Sequence, residues 1–280
     1  MKNLRMLLCM LMGLLIGSVI GIVIANVTHS QQKKKHAQMT TTEVTATADA
    51  EKTTVSMDEL QTASDAATST DAAISEEDQP EALTAMLKRS LVSYEQLAGV
   101  DCRQLIVVDA KQEKASISMY VCGENGLWTD AGLTTEGCVG ENGVSRESYE
   151  GSRMTPAGVF PIEEAFYIED KPETGLPTFQ ITENTYWVDD VESELYNQRI
   201  ELAGEKTWKS AEHMIEYPDA YKYGFVVGYN MNPVETGRGS AIFFHIGDRA
   251  TLGCVATSEE MVLAYLKKLD ETMHPYIVIQ

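Results

Sequence analysis

The chain has 280 residues, 44% of them hydrophobic, which leaves room for one sizeable domain with flanking segments or for two small ones. Its formal net charge of −20 excludes nucleic acid as a partner, because phosphate contacts require an excess of Lys and Arg. The five cysteines (Cys9, Cys102, Cys122, Cys138 and Cys254) form no CxxC and no Cys/His cluster with zinc spacing, so neither a metal site nor a cofactor is expected.

The charge is unevenly distributed. Residues 1–35 hold Lys2, Arg5, Lys33, Lys34 and Lys35 and no acid, so the remainder is more acidic than the total. Met6–Val27 is an uncharged stretch of 22 residues, long enough to cross a bilayer as a helix. Segment 1–27 therefore reads as a cytoplasmic tip and an uncleaved transmembrane signal anchor, N-terminus inside, with the domain that follows outside the cell. Val23-Ile24-Ala25 resembles a cleavage site with small residues, so a processed signal peptide is the other reading. Segment 28–80 is rich in Thr, Ala, Ser and acids, and no aromatic residue occurs before Tyr94. It lacks the apolar surface to offset its ordering entropy and reads as a flexible linker. About 50 such residues reach roughly 40 Å, enough to lift a domain off a membrane.

Segment 81–98 carries Leu83, Met86, Leu87, Leu91, Tyr94 and Leu97 at helical spacing, with Pro80 in front and Gly99 behind, which predicts one helix. The main domain, 99–280, is expected to be mostly β. Gln104–Asp109 and Ala115–Val121 predict a hairpin around Lys111–Lys114. A turn centred on Gln112 places Cys102 opposite Cys122, which leaves a cross-strand disulfide and two separate reduced thiols as equal readings. Strand starts follow at Thr155–Phe160 and Tyr223–Tyr229, with Gly- and Pro-rich turns between, which predicts a β-sandwich or barrel. Thr257-Ser258-Glu259-Glu260 has the form of a capping box from Thr257 to Glu260, opening a helix near Glu259–Leu269, and Tyr276–Ile279 closes the chain as a strand.

The chemistry concentrates in Gly239–Ala256, GSAIFFHIGDRATLGCVA. An apolar run, Ala241–Phe244, carries His245 at its end, and Cys254 follows nine positions later. Little of a free thiol is ionised at neutral pH, and an imidazole within reach can take its proton. Backbone N–H groups at Gly253 and Cys254 could hold the oxyanion of an acyl-transfer intermediate. Taken alone, the pair leaves a structural reading open: a buried cysteine packed as a small hydrophobe and a histidine ending a strand.

The wider pattern resembles the L,D-transpeptidase (YkuD-type) family of bacterial cell-wall enzymes. The resemblance lies in Thr155–Phe160 (TPAGVF), Trp187–Asp190 (WVDD), Gly239–His245 (GSAIFFH) and Thr251–Cys254 (TLGC), in family order. It implies a mostly-β, L,D-transpeptidase-like sandwich or barrel with a helix after the cysteine. It also implies Cys254 as nucleophile, His245 as general base, Gly253 and Cys254 as oxyanion donors, and the carbonyl of Ile246 or Gly247 as the group that orients the imidazole. Thr251, Arg249, Ser240 and Trp187 are the candidate substrate contacts. The implied partner is the peptidoglycan stem peptide, with the membrane held through the N-terminal helix. The implied reaction expels a terminal D-alanine and forms a 3→3 cross-link. An L,D-carboxypeptidase with water as acceptor and a non-catalytic wall-binding module are the alternatives. The chain departs from many members in having Leu252 before Gly-Cys, Ala256 two places after the cysteine, and a shorter loop between His245 and Cys254.

Overall fold

A computed structural model of the protein describes residues 75–280. The anchor over Met6–Val27 and the linker up to residue 74 lie outside the described residues. Among the described residues no helix is long and apolar enough to cross a membrane.

The linker expected to run to residue 80 ends earlier. Glu76–Asp78 form a 3-10 turn whose Glu76 meets Lys88 at 2.6 Å, and Gln79 accepts from Trp128 N and donates to Gly126 O. Acidic composition hid this contact, because it is made by polar groups rather than by apolar burial. The single helix expected over 81–98 is two. Helix α1 spans Glu81–Ser90 and helix α2 spans Tyr94–Gly99. Leu91 turns left-handed between them, with φ 61°, and Val92 N bonds back to Leu87 O as a helix stop does. Ser93 and Gln96 then form a reciprocal capping box that restarts the chain as α2.

Fourteen strands follow in chain order. Strands β1 (Gln104–Lys111), β2 (Lys114–Cys122) and β3 (Trp128–Cys138) form a meander. Two-residue β4 (Val144–Ser145) and β5 (Thr155–Pro156) precede the long β6 (Gly158–Tyr167). Then come β7 (Thr178–Gln180), β8 (Thr185–Val188), β9 (Arg199–Glu201), β10 (Ala211–His213) and β11 (Tyr223–Val227). Strands β12 (Phe243–Ile246) and β13 (Val255–Thr257) flank the loop ending in Cys254, helix α3 (Glu259–Lys268) follows, and β14 (Pro275–Ile279) ends the fold.

The main sheet runs β11-β12-β13-β3-β2-β1-β14-β6-β7, and β11 also pairs with β6. That last pairing closes a ring and turns the expected sandwich or barrel into a closed barrel, with β7 outside it. A ring has no exposed edge to protect. Its interior is filled by side chains such as Ile106, Ile117, Phe225 and Phe244, together with Val262, Tyr265 and Leu266 of α3. The Tyr265 hydroxyl donates to Ile117 O at 2.9 Å, so the one polar atom of that aromatic plug is satisfied. Strand β1 is apolar without alternation because both its faces are covered. Ile106 and Val108 face the barrel interior, while Leu105 and Val107 lie under Leu83 and Leu87 of α1 and Leu97 of α2.

Two further expectations shift by one residue. The β1–β2 register pairs Gln104 with Val121, and Cys122 N donates to Arg103 O, so Cys102 does not stand opposite Cys122. Both thiols are free: Cys102 points to Gln104 O and Cys122 to Gly123 O. Helix α3 is capped by Ser258, whose hydroxyl accepts from Met261 N. Thr257, expected in that role, belongs to β13 and spends its hydroxyl on Glu136 O at 2.9 Å.

Candidate active site

Strands β12 and β13 run parallel, with Phe244 beside Val255 and His245 beside Ala256. Alternation along β12 puts Phe243 and His245 on one face and Phe244 on the other. Phe244 accordingly fills the barrel, while Phe243 joins Cys254 in a separate aromatic cluster with Phe166, Trp187 and Tyr221. The short loop from Gly247 to Cys254 thus brings the cysteine back onto the face that carries the imidazole. Both open on one groove of about 1320 Å³.

The apolar run Ala241–Phe244 is not all strand. Ala241 is left-handed, with φ 53°, which costs an alanine on the order of 1–2 kcal/mol. Two hydrogen bonds hold it there, and a third ties the nearby Phe243 to the same cysteine. Ala241 N donates to Asn197 Oδ1 at 3.1 Å, the Cys254 thiol donates to Ala241 O at 3.4 Å, and Phe243 N donates to Cys254 Sγ at 3.3 Å. Asn197 also accepts from Trp187 Nε1 and donates to the carbonyls of Tyr229 and Asn230, tying the WVDD and GSAIFFH segments together. No motif in the sequence marks Asn197; its part emerges only when distant loops meet.

The backbone of Cys254 is clamped from behind. The Cys254 carbonyl accepts from Thr251 Oγ1 at 2.6 Å and from Thr155 Oγ1 at 3.3 Å. Thr155 is fully buried and also accepts from Gly140 N at 2.8 Å. The threonine of TPAGVF therefore sets the Cys254 peptide without touching the thiol. Thr251 Oγ1 further accepts from Gly253 N at 3.1 Å, so its hydroxyl is occupied by the loop's own backbone. That bond occupies the Gly253 N–H, while the Cys254 N–H has no acceptor among the described residues. Gly253 itself has φ 150°, a conformation open to glycine.

His245 Nδ1 lies 2.9 Å from Ile246 O. A carbonyl can only accept, so Nδ1 carries the proton and Nε2 keeps its lone pair. Of the two carbonyls expected there, it is Ile246 that meets the ring; no hydrogen bond joins the imidazole to Gly247 O among the described residues. The ring packs edge-on against Tyr221, with centroids 5.3 Å apart. Burial lowers the imidazole below its ordinary value, and the Ile246 bond opposes this only in part. Burial, followed by the negative charge of Glu212, pushes the Cys254 thiol far above the usual thiol range, against the pull of Phe243 N–H. At rest the pair is a neutral thiol and a neutral imidazole.

The remaining expected contacts separate. Ser240 lines the groove and donates to Glu150 Oε2 at 2.7 Å. Arg249 lies on its rim with 91% of its side chain exposed, beside Asp248. Trp187 does not line the groove. It is buried behind Phe243, ring centroids 5.0 Å apart, because Asn197 draws its indole N–H inward. Asp190 is a turn residue, accepting from the N–H groups of Glu192 and Lys209. Among the described residues no group of three or more His, Cys, Asp or Glu could hold a metal ion.

The family model described as the YkuD L,D-transpeptidase catalytic domain matches residues 103–278. The chain belongs to the L,D-transpeptidase family. The match runs from the residue before β1 nearly to the end of β14, so the barrel, the Cys254 loop and helix α3 all fall inside the transpeptidase domain. Helices α1 and α2 precede it. No curated protein and no solved structure matches the chain.

Proposed function

We propose that the domain is a cysteine L,D-transpeptidase acting on peptidoglycan stem peptides, carried outside the membrane on the anchor and linker expected from residues 1–74. The observation that carries this reading is the pairing of Cys254 and His245 on one groove, with Nδ1 committed to Ile246 O and Nε2 left as base. Because both groups rest neutral, the proton moves as the substrate arrives. Cys254 Sγ attacks the carbonyl of the third stem residue while His245 Nε2 takes the thiol proton. The Cys254 N–H is the donor available to the oxyanion, and the clamp on the Cys254 carbonyl holds that peptide in place. The protonated imidazole then gives its proton to the departing D-alanine amine, leaving a thioester. The side-chain amine of a second stem attacks the thioester and forms the 3→3 link, returning the thiol.

The test is intact-mass measurement after incubation with a carbapenem, a β-lactam whose ring carbonyl a cysteine can open. One adduct per wild-type chain and none on Cys254→Ala is the expected result; an unchanged adduct on the variant would sink the assignment. Incubation with stem tetrapeptides then reads the acceptor. Cross-linked dimers support transpeptidation, and tripeptide alone makes the enzyme an L,D-carboxypeptidase.

A further inference from the structure

One wall of the groove is acidic in a way that the thiol chemistry does not use. Glu150, Asp189 and Glu212 all line it. The basic side chains of the same groove are engaged elsewhere: Arg153 pairs with Glu141, Arg249 lies beside Asp248, and Lys114 meets Cys138 Sγ at 3.3 Å. Glu150 is taken up by the hydroxyls of Tyr196 and Ser240, and Asp189 by that of Ser210.

Glu150 and Asp189 each keep one oxygen without a protein partner among the described residues, as Glu212 does; Glu212 differs in what holds its other oxygen. It stands on β10 opposite Trp187 of β8, and its Oε1 accepts from the Tyr221 hydroxyl. Its Oε2 has no protein partner among the described residues. The Tyr221 ring lies against His245 and Phe243, centroids 5.3 and 5.5 Å away, so the group that orients the carboxyl also touches the base. Burial pushes Glu212 up to about 7; the Tyr221 bond opposes this, and the charges of Asp189 and Glu150 add to it. A negative charge here raises the Cys254 thiol and so works against the first half of the reaction. It suits the second half. An amine acceptor arrives as an ammonium, which a carboxylate binds, and it must lose a proton before its nitrogen can attack.

We infer that Glu212, oriented by Tyr221, binds the primary ammonium of the acyl acceptor and takes its proton. The inference rests on the acyl-transfer reading of Cys254. The ammonium R–NH3+ gives one proton to the Glu212 carboxylate, leaving R–NH2 and a neutral carboxylic acid. The amine nitrogen bonds to the thioester carbonyl carbon, and the C–S bond breaks as the tetrahedral intermediate collapses. The second amine proton passes through His245 Nε2 to Cys254 Sγ, and Glu212 releases its proton to solvent. One ammonium and one thioester become one amide, one thiol and one proton.

The experiment compares wild type with Glu212→Gln in the full chain. Donors are stem tetrapeptides carrying diaminopimelate or lysine at the third position. Acceptors are the same peptide's side-chain amine and hydroxylamine, which is largely unprotonated at neutral pH. Glu212→Gln is expected to form the carbapenem adduct at least as fast as wild type, because a charge opposing the thiolate is gone. Its cross-linking by the peptide ammonium is expected to fall on the order of 10²-fold, with hydroxylamine aminolysis retained. In wild type, cross-linking should rise with pH around 7 as Glu212 ionises, among the other titratable groups facing it: Tyr221, Tyr217, Asp189, Glu150, His245 and Cys254. Tyr221→Phe removes the donor that favours the carboxylate and should move that rise to higher pH. Wild-type cross-linking by Glu212→Gln, or an equal loss with hydroxylamine, overturns the inference. A wild type that forms no acyl-enzyme with either peptide overturns the transpeptidase reading and this one with it.

Discussion

Cys102 and Cys254 are both buried thiols, 3% and 9% exposed, and burial pushes both upward, Cys102 to about 12. Their surroundings separate them. Cys102 lies under α1 and α2 among Leu83, Leu97, Leu105 and Tyr120, with its S–H on Gln104 O. Cys254 sits at the floor of an open groove with the His245 imidazole on the same face. Desolvation alone makes a thiol inert. A nucleophile needs, in addition, a base that shares its groove and a path for the substrate. The helical cap buries its cysteine on every side and closes the fold; the groove leaves one side open.

The largest test of this contrast is at the thiols themselves. Cys254→Ser should abolish carbapenem acylation at neutral pH, whereas Cys102→Ser should keep it and lower stability by about 1–3 kcal/mol, the cost of a hydroxyl in an apolar pocket. Mass mapping of the adduct to Cys102 would remove the distinction. Next, His245→Gln should slow acylation by roughly 10²- to 10⁴-fold. The acid limb of the wild-type pH profile should lie below 6.5, the ordinary imidazole value, because burial lowers the pKa and the neutral base survives to lower pH. A limb at or above that value would mean that burial does not lower the imidazole.

Leu83→Ala probes the cap, where a fully buried leucine covers β1. A loss of about 2–5 kcal/mol in denaturant unfolding is expected, with acylation by the folded fraction intact. Thr155→Val should cost less, about 1–3 kcal/mol, by leaving Gly140 N–H without its acceptor. It should also slow acylation, since one of the two hydroxyls on the Cys254 carbonyl is gone. Unchanged kinetics would mean that Thr251 alone holds that peptide. Glu212 adds a pH signature in stability. Its folded value near 7 lies above its ordinary 4.5, so the folded state binds more protons between the two. Stability from this group is full below 4.5 and is lost as pH rises through about 7. Calorimetry at pH 8 should therefore find Glu212→Gln more stable than wild type by up to about 3 kcal/mol, with no gain at pH 4.

Much of the mostly-β domain was legible along the chain. The strands β1, β2, β11 and β14 follow from apolar runs bounded by turn residues, and α3 from its amphipathic spacing. The closing of the ring was not legible, because the β11–β6 pairing joins segments far apart in sequence. Nor was the division of α1 from α2, where a leucine rather than a glycine takes the left-handed position. At the site, His245 and Cys254 stood out because both residue types are scarce and lie in one segment. Glu212, Tyr221 and Asn197 did not, being one acid, one tyrosine and one asparagine among many.

The sequence by itself determined the candidate pair, Cys254 and His245, the family motifs around them and the covalent order in which they occur, since these are properties of residue type and spacing. Tertiary structure decided what each does. It sent Trp187 into the core, gave the Thr251 hydroxyl to backbone and chose Ile246 over Gly247 as the carbonyl on the imidazole. It also set an acidic carboxyl on a tyrosine that touches His245. Hydrogen bonds and desolvation depend on which atoms meet in space, and those meetings are settled only when the barrel closes.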